Sequence, residues 1–103
     1  MIEYATDETF QDMIAEGAVV VDFFGKTCGP CKLIGRILET IEDEMPFVNI
    51  VKVDVDDCPK TADEFRVDGI PDLYFYKDGE IVRHEVGAIS EQELRTIIGE
   101  LIY

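Results

Sequence analysis

The chain contains both continuous apolar runs and apolar positions that recur every three or four residues. The run AVVVDFF at Ala18–Phe24 is continuous, which is typical of a central strand covered on both faces. Phe47–Val55 is a second, largely apolar run with strand character. A helix is predicted from Cys31 to about Met45, where Pro46 follows. The apolar positions that define one face of this helix are Ile34, Ile37, Leu38 and Ile41.

Shorter patterns predict the two elements that precede the central strand. A first strand lies near Ile2–Ala5, and Thr6 or Asp7 can cap the helix that follows it. Gly17 is expected to end that helix. The residues that share its apolar face are Phe10, Met13 and Ile14.

The second half of the chain predicts a short helix, a hairpin and a final helix. Lys60–Phe65 follows a Cys-Pro pair and suggests the short helix. Asp72–Tyr76 and Glu80–Val86 are strand-like runs joined through Lys77-Asp78-Gly79, which is a hairpin turn signal. Ser90 opens a capping box, and the helix after it is amphipathic.

The order of elements is therefore βαβαβαββα. The early strands are far enough apart for parallel crossovers, while the last two close as an antiparallel hairpin. We expect residues 1–103 to form one α/β domain with a central mixed sheet flanked by helices on both faces.

Charge and length narrow the classes of partner. The 103 residues carry 9 Lys and Arg against 23 Asp and Glu, a net charge of −14 that would repel nucleic acid. No apolar run reaches membrane-spanning length, and Met1–Phe10 shows no secretory signal. The expectation is a soluble cytoplasmic protein that binds neither nucleic acid nor membrane.

A pair of cysteines separated by two residues lies between the central strand and the helix after it. In this βαβ context, Cys28-Gly29-Pro30-Cys31 is a redox candidate. The N–H groups and partial positive charge of the helix N-terminus favour a thiolate at Cys28, which should be the more acidic thiol. Pro30 suits the first helical turn, and Gly29 leaves backbone room for a partner.

The two cysteines also lie in the only basic stretch of the chain. Phe23–Leu38 holds three basic residues and no acid, a charge of +3, whereas the other 6 basic and 23 acidic residues give −17. Nearby cations favour the thiolate, which is the form that attacks disulfides. A metal half-site is the alternative, but zinc usually needs four ligands, and only Cys58 and His84 remain as Cys or His. We expect no metal.

Asp22 is unusual because it interrupts the apolar central strand. If the side chain is buried, its pKa is raised and it becomes a candidate general base. The alternative is a strand-edge aspartate that points to solvent. Lys52 could lie beside Asp22 on the neighbouring strand and help to hold a charge, or it could simply be exposed.

Taken together, these motifs make the chain resemble the thioredoxin family over essentially its full length. The combination of a CGPC pair, a downstream Ile-Pro and a KDGE hairpin is far more specific than the cysteine pair alone. The matching stretches are VVVDFF, CGPCK at Cys28–Lys32, VKVDVDD at Val51–Asp57, GIP at Gly69–Pro71, YKDGE at Tyr76–Glu80 and VGA at Val86–Ala88.

The resemblance implies a thioredoxin fold and a protein-disulfide reductase. Cys28 would attack a client disulfide and Cys31 would resolve the mixed disulfide by thiol exchange. Asp22 would accept the proton of Cys31, with Lys52 as its modulating partner. No bound cofactor is implied. The implied partners are disulfide-containing client proteins and a thioredoxin reductase that supplies electrons.

The resemblance also implies a substrate surface around the cysteines. Ile70-Pro71 would be a cis peptide bond that faces the two sulfurs, and Gly87 would lie near the substrate groove. Gly29 and Pro30 belong to the same surface.

Three departures from the family pattern bear on partner choice. The family usually has tryptophan just before the first cysteine and an aromatic residue, often tryptophan, three residues earlier, where this chain has Thr27 and Phe24. Asp72 replaces a common threonine after the proline, and its charge would oppose a thiolate if it points toward Cys28. Arg36 replaces a helix-kinking proline, so that helix should be straighter.

These departures keep other interpretations open. One is a specialised relative with a narrow partner set or its own electron donor, and another is a redox-inactive binding module. An oxidase or isomerase is less consistent with the retained Gly-Pro between the cysteines. The chain is expected to be a monomer, with Cys58 either a filler at the start of a helix or the link in a disulfide-bonded dimer.

Overall fold

The computed structural model describes residues 1–103, which form nine elements in the predicted order. The strands and helices are β1 (Ile2–Tyr4), α1 (Phe10–Met13), β2 (Ala18–Phe24), α2 (Gly29–Glu44), β3 (Asn49–Asp54), α3 (Pro59–Glu64), β4 (Asp72–Lys77), β5 (Glu80–Val86) and α4 (Glu91–Ile102).

The five strands form one mixed sheet, as predicted, in the order β1-β3-β2-β4-β5. β1, β3 and β2 are parallel, whereas β4 pairs antiparallel with both β2 and β5. β2 is the central strand, and six of its seven residues are buried. Its continuous apolar pattern thus reflects cover on both faces.

Alternation along the strands sends neighbouring residues to two separate cores. Val20, Ile50 and Phe75 lie on the face covered by α2 and α4. Val21 and Phe23 lie on the opposite face, which is covered by α1 and α3. The buried residues contributed by the helices and the segments next to them are Ile34, Leu38, Ile41, Leu94, Ile97, Ile98 and Leu101 on the first face and Phe10, Ile14 and Cys58 on the second.

Several predicted boundaries differ from the structure, among them the starts of β3 and α2, and α1 ends at Met13 rather than at Gly17. β3 begins at Asn49, because Phe47 lies in a turn with 75% of its surface exposed. α2 begins at Gly29, two residues before the predicted start, because its N-cap is Cys28. The Ser90 cap is confirmed, since its hydroxyl accepts a hydrogen bond from the N–H of Glu93 at 3.1 Å.

The predicted cap of α1 is wrong for both Thr6 and Asp7, because the N-cap of this helix is Thr9, which makes no side-chain cap hydrogen bond. The Thr6 hydroxyl accepts a hydrogen bond from the N–H of Thr9 at 3.1 Å, although the regular helix is a single turn that starts later, at Phe10. The Asp7 carboxylate instead reaches α3, where it accepts hydrogen bonds from the N–H and hydroxyl of Thr61 at 2.8 and 2.6 Å. These bonds lower the pKa of Asp7. A residue assigned to one helix thus caps another, distant in sequence.

None of the four helices has both the length and the hydropathy that crossing a membrane requires.

Candidate redox site

Cys28 and Cys31 are joined by a disulfide, and their Cα atoms are 5.2 Å apart. They lie at the carboxyl end of the central strand, where β2 gives way to α2. The Cys28 Sγ accepts a hydrogen bond from the N–H of Cys31 at 3.1 Å, so it is held at the helix N-terminus as predicted. Cys31 is only 2% exposed, whereas Cys28 is partly exposed. The two sulfurs therefore differ in their access to another molecule.

The segment around Pro71 lies next to this disulfide. The Ile70-Pro71 peptide bond is cis, as the resemblance implied. A Cβ atom built on Gly25 would lie 2.8 Å from Ile70 Cδ1 and 3.9 Å from Cys28 Cβ, so Ile70 and Cys28 flank this glycine. Gly87, at φ +92°, donates its N–H to the carbonyl oxygen of Pro71 at 2.8 Å. Ile70, Pro71 and Gly87 thus form one continuous surface beside the disulfide, which we call the cis-proline rim.

The outer edge of α2 completes this surface. Gly29 and Pro30 are both exposed in the first turn of the helix, and nothing lies within 4 Å of a Cβ built on Gly29. The predicted substrate residues therefore occur in two segments, one on each side of Cys28.

Asp22 is fully buried, so the alternative of a solvent-facing aspartate was wrong. It lies opposite Lys52 in the β2–β3 register, and the Lys52 Nζ is 2.8 Å from Asp22 Oδ2. The other carboxylate oxygen, Oδ1, has no hydrogen-bond partner. Burial raises the pKa of Asp22, although the positive charge of Lys52 counteracts part of that effect.

Lys52 is held in place by three neighbours on the α2 face of the sheet. Its ammonium group pairs with Asp22 and lies 4.6 Å from the centre of the Phe24 ring. A Cβ built on Gly35 of α2 would lie 3.2 Å from the Nζ, so a larger residue here would require the lysine ammonium group to shift. We predicted the Asp22–Lys52 pairing, but we did not recognise Gly25 or Gly35. The close approaches that both glycines permit are tertiary contacts, with no local signal in the sequence.

The three basic residues near the cysteines behave differently from one another. Lys26 is committed to two acids, with its Nζ 3.0 Å from Asp54 Oδ2 and 2.9 Å from Asp57 Oδ1, and these bonds raise its pKa. Lys32 and Arg36 make no ion pair or side-chain hydrogen bond and are exposed on successive turns of α2. The basic stretch therefore has two free cations rather than three.

Asp72 does not face the disulfide helix. Its strand neighbour Tyr74 packs against the α1 and α3 core, and alternation places Asp72 on that same face, opposite α2. There its carboxylate is 2.5 Å from His84 Nε2, and the His84 ring stacks on Tyr74 with centroids 4.0 Å apart. The expected opposition between Asp72 and a Cys28 thiolate thus finds no geometric support. The Asp72 carboxylate is instead within hydrogen-bond distance of His84, a residue to which we assigned no role.

Cys58 is 1% exposed, and its thiol donates a hydrogen bond to the carbonyl oxygen of Ala5 at 3.3 Å. Burial, together with nearby acids such as Asp7, raises the pKa of this thiol. A disulfide between two chains at Cys58 would require this part of the molecule to open. No group of three His, Cys, Asp or Glu side chains is arranged to share a metal ion.

A dithiol pair at a helix N-terminus, a buried carboxylate and a cis-proline segment define a thiol–disulfide oxidoreductase on an α/β fold. The family profile described as Thioredoxin matches residues 1–100. A thioredoxin of Chlamydia trachomatis is 40% identical over 100 residues, covering 97% of this chain and 98% of that protein. A thioredoxin of Listeria monocytogenes is 39% identical over 103 residues, covering 99% and 100% of the two chains.

A solved structure extends the similarity to the fold. A mutant thioredoxin from Halobacterium salinarum superposes with a TM-score of 0.90 at 30% identity, covering 99% of this chain and 91% of that one. The chain belongs to the thioredoxin family. Its Cys28–Cys31 disulfide is the redox-active pair, and both the predicted fold class and the predicted reductase activity are confirmed.

Proposed function

We propose that Cys28 is the attacking thiol and Cys31 the resolving thiol of this reductase. The Cys28 thiolate attacks a client disulfide, forms a mixed disulfide and releases one client thiolate. The Cys31 thiolate then attacks Cys28 Sγ, which releases the second client sulfur and closes the Cys28–Cys31 bond. Two electrons pass from the pair to the client. The unequal exposure of the two residues supports this proposal, because Cys28 is partly exposed whereas Cys31 is only 2% exposed.

We propose that Asp22 takes the proton that Cys31 must lose. Its Oδ1 is buried without a hydrogen-bond partner, so it has a free lone pair for a proton. Its raised pKa makes it a stronger base than an ordinary carboxylate. Lys52 would limit that rise through its ion pair with Oδ2, and so tune the proton transfer.

The client would lie across the surface on both sides of Cys28. Gly29 and Pro30 offer an exposed turn on one side, while Ile70, Pro71 and Gly87 offer the rim on the other. Burial of the Pro71 ring supports a contact made by the segment's backbone more than by that ring.

The finer statements about partners also belong to this proposal. A thioredoxin reductase would return electrons to the disulfide, and the whole chain would act as a monomeric domain. A dithiol that donates electrons needs surroundings that keep thiols reduced, which favours the cytoplasm. A narrow partner set is a second candidate, supported by Thr27 beside Cys28. Turnover with a general thioredoxin reductase separates the two, because a specialist would need another donor.

Single-cysteine variants test the order of attack. Cys31→Ser should accumulate a mixed disulfide with an oxidised client such as insulin, detected as an added mass that dithiothreitol removes. Cys28→Ser should form no such adduct at equal concentration. Cys58→Ser is the matched control and should turn over like the unmodified protein. An adduct on Cys28→Ser but not on Cys31→Ser would reverse the assignment.

A further inference from the structure

A cleft of about 440 Å³ opens beside the buried sulfur, on the side of the disulfide away from the cis-proline rim. Cys31 and Gly35 of α2 form one wall, and Tyr4 and Phe24 of the sheet form the other. Tyr4 lies on β1, which is on one side of the central strand β2 in the sheet. Pro71 directly precedes β4, which is on the other side of β2. The cleft therefore opens on the other side of the active-site segment from the surface that we assigned to the client's cysteine, and Gly25 borders both.

Four cations line this cleft, which we call the basic cleft, and Glu39 is the only acid among its lining residues. Lys52 at its floor is paired with Asp22, and Lys26 is paired with two acids at its edge. The other two cations, Lys32 and Arg36, have no partner in the chain. They lie four residues apart and therefore on the same face of α2.

The geometry points to Lys32 and Arg36 as a docking site for an acidic segment of the protein whose disulfide is exchanged. This inference rests on the proposed function, because the segment must belong to a client or reductase already held at Cys28. An acidic partner is repelled by most of this surface, since the remainder of the chain beyond Phe23–Leu38 carries −17. The basic cleft would therefore orient such a partner relative to the sulfurs.

A tethered carboxylate fits this site better than a free anion does. Ion pairs between exposed side chains are individually weak, so two open cations would hold a dissolved anion poorly. A carboxylate on a bound client is instead presented at an effective concentration that a short tether raises to the millimolar range. Guanidinium and ammonium groups on adjacent turns suit two such carboxylates.

Two synthetic peptides test the inference. Each contains one disulfide, and they differ only in having four glutamates or four glutamines at the positions that flank one cysteine. The pre-reduced protein is mixed with each peptide at low salt, and acid-quenched samples give the second-order rate constant of reduction. The quantity of interest is the ratio of the glutamate rate to the glutamine rate for each variant, because an altered thiol reactivity changes both rates and cancels in this ratio.

The test variant is Lys32→Gln with Arg36→Gln, and the control is Lys60→Gln with Lys77→Gln. Both pairs are exposed, and both variants lose two positive charges, so their net charges are equal. We expect the ratio to be about fivefold lower in the test variant than in the control, since two weak exposed ion pairs are lost together. This difference should shrink in 0.5 M NaCl, where salt screens exposed charges.

Equal ratios in the two double variants would overturn the docking site and leave the reductase function intact. If the unmodified protein failed to reduce even the glutamine peptide, the proposed function and the docking site would both be overturned.

Discussion

Replacing Asp22 with asparagine should stabilise the oxidised protein at neutral pH. The carboxylate is fully buried, and only one of its two oxygens has a partner. Asparagine has the same shape, can still accept a hydrogen bond from Lys52, and removes the buried negative charge. The oxidised form is the right state for the measurement because its disulfide cysteines do not titrate.

The sign of the pH dependence follows from the raised pKa of Asp22. The folded protein holds this proton to a higher pH than the unfolded chain, where the pKa is near 3.8. Stability therefore falls as pH rises from about 3.8 toward the folded pKa, because the folded state then binds more protons. A buried polar group without a partner costs about 1–3 kcal/mol and a charged one costs more, so replacing the buried charge with a neutral amide should gain at least about 1 kcal/mol at pH 8.

Urea unfolding of both proteins from pH 4 to pH 9 measures this difference. The gain should be smallest at pH 4 and should grow to a plateau as the pH rises. Asp43→Asn is the matched control, because Asp43 is exposed and has no ion pair, and its effect should change little with pH. A gain that is the same at every pH, or a wild-type protein that is more stable at pH 8, would refute the burial argument.

Two further predictions concern Cys58 and the glycine beside Ile70. Cys58 should react negligibly with Ellman's reagent in the folded oxidised protein and fully in guanidinium, because its thiol is buried and bonded to Ala5; rapid labelling without denaturant would contradict this. Gly25→Ala should raise the KM for a client by about threefold or more, because the new methyl group displaces the tip of the Ile70 side chain. The free energy of unfolding should change by less than about 1 kcal/mol, because only that flexible tip has to move. Gly99→Ala, where nothing lies within 4 Å, is the control and should leave KM unchanged.

Much of the fold could be predicted because the apolar positions that define each strand or helix in the sequence are also the residues buried in the two cores. The continuous run of β2 required helices on both faces, and the two cores occur as expected. The pairing of Asp22 with Lys52 could be inferred because each interrupts an apolar strand and those strands are neighbours. A charged residue at such a position usually has a specific partner, since leaving it unpaired is costly.

The contacts that escaped prediction join segments whose approach depends on tertiary packing. Asp7 caps α3 rather than α1 because the loop after β1 crosses to that helix. Lys26 lies in a basic stretch of the sequence, yet it pairs with Asp54 at the end of β3 and with Asp57 in the turn that follows. Asp72 meets His84 because β4 and β5 pair with that register. No local sequence pattern indicates that these pairs of residues meet. Counting charges along the sequence therefore gave the wrong partner, or no partner, for each of these groups.

The redox site combines a buried part and an exposed part within a few residues of the chain. Cys31 and Asp22 are both buried, at 2% and 0% exposure, and our proposal assigns the transfer of a proton to this pair. Cys28 lies at the exposed end of α2, where another protein can reach it. Because the two cysteines are three residues apart at one helical turn, the proposed attacking residue is partly exposed while the proposed resolving residue is buried. In the proposed docking, Arg36 on the next turn would contact the partner and would take no part in the proposed proton transfer.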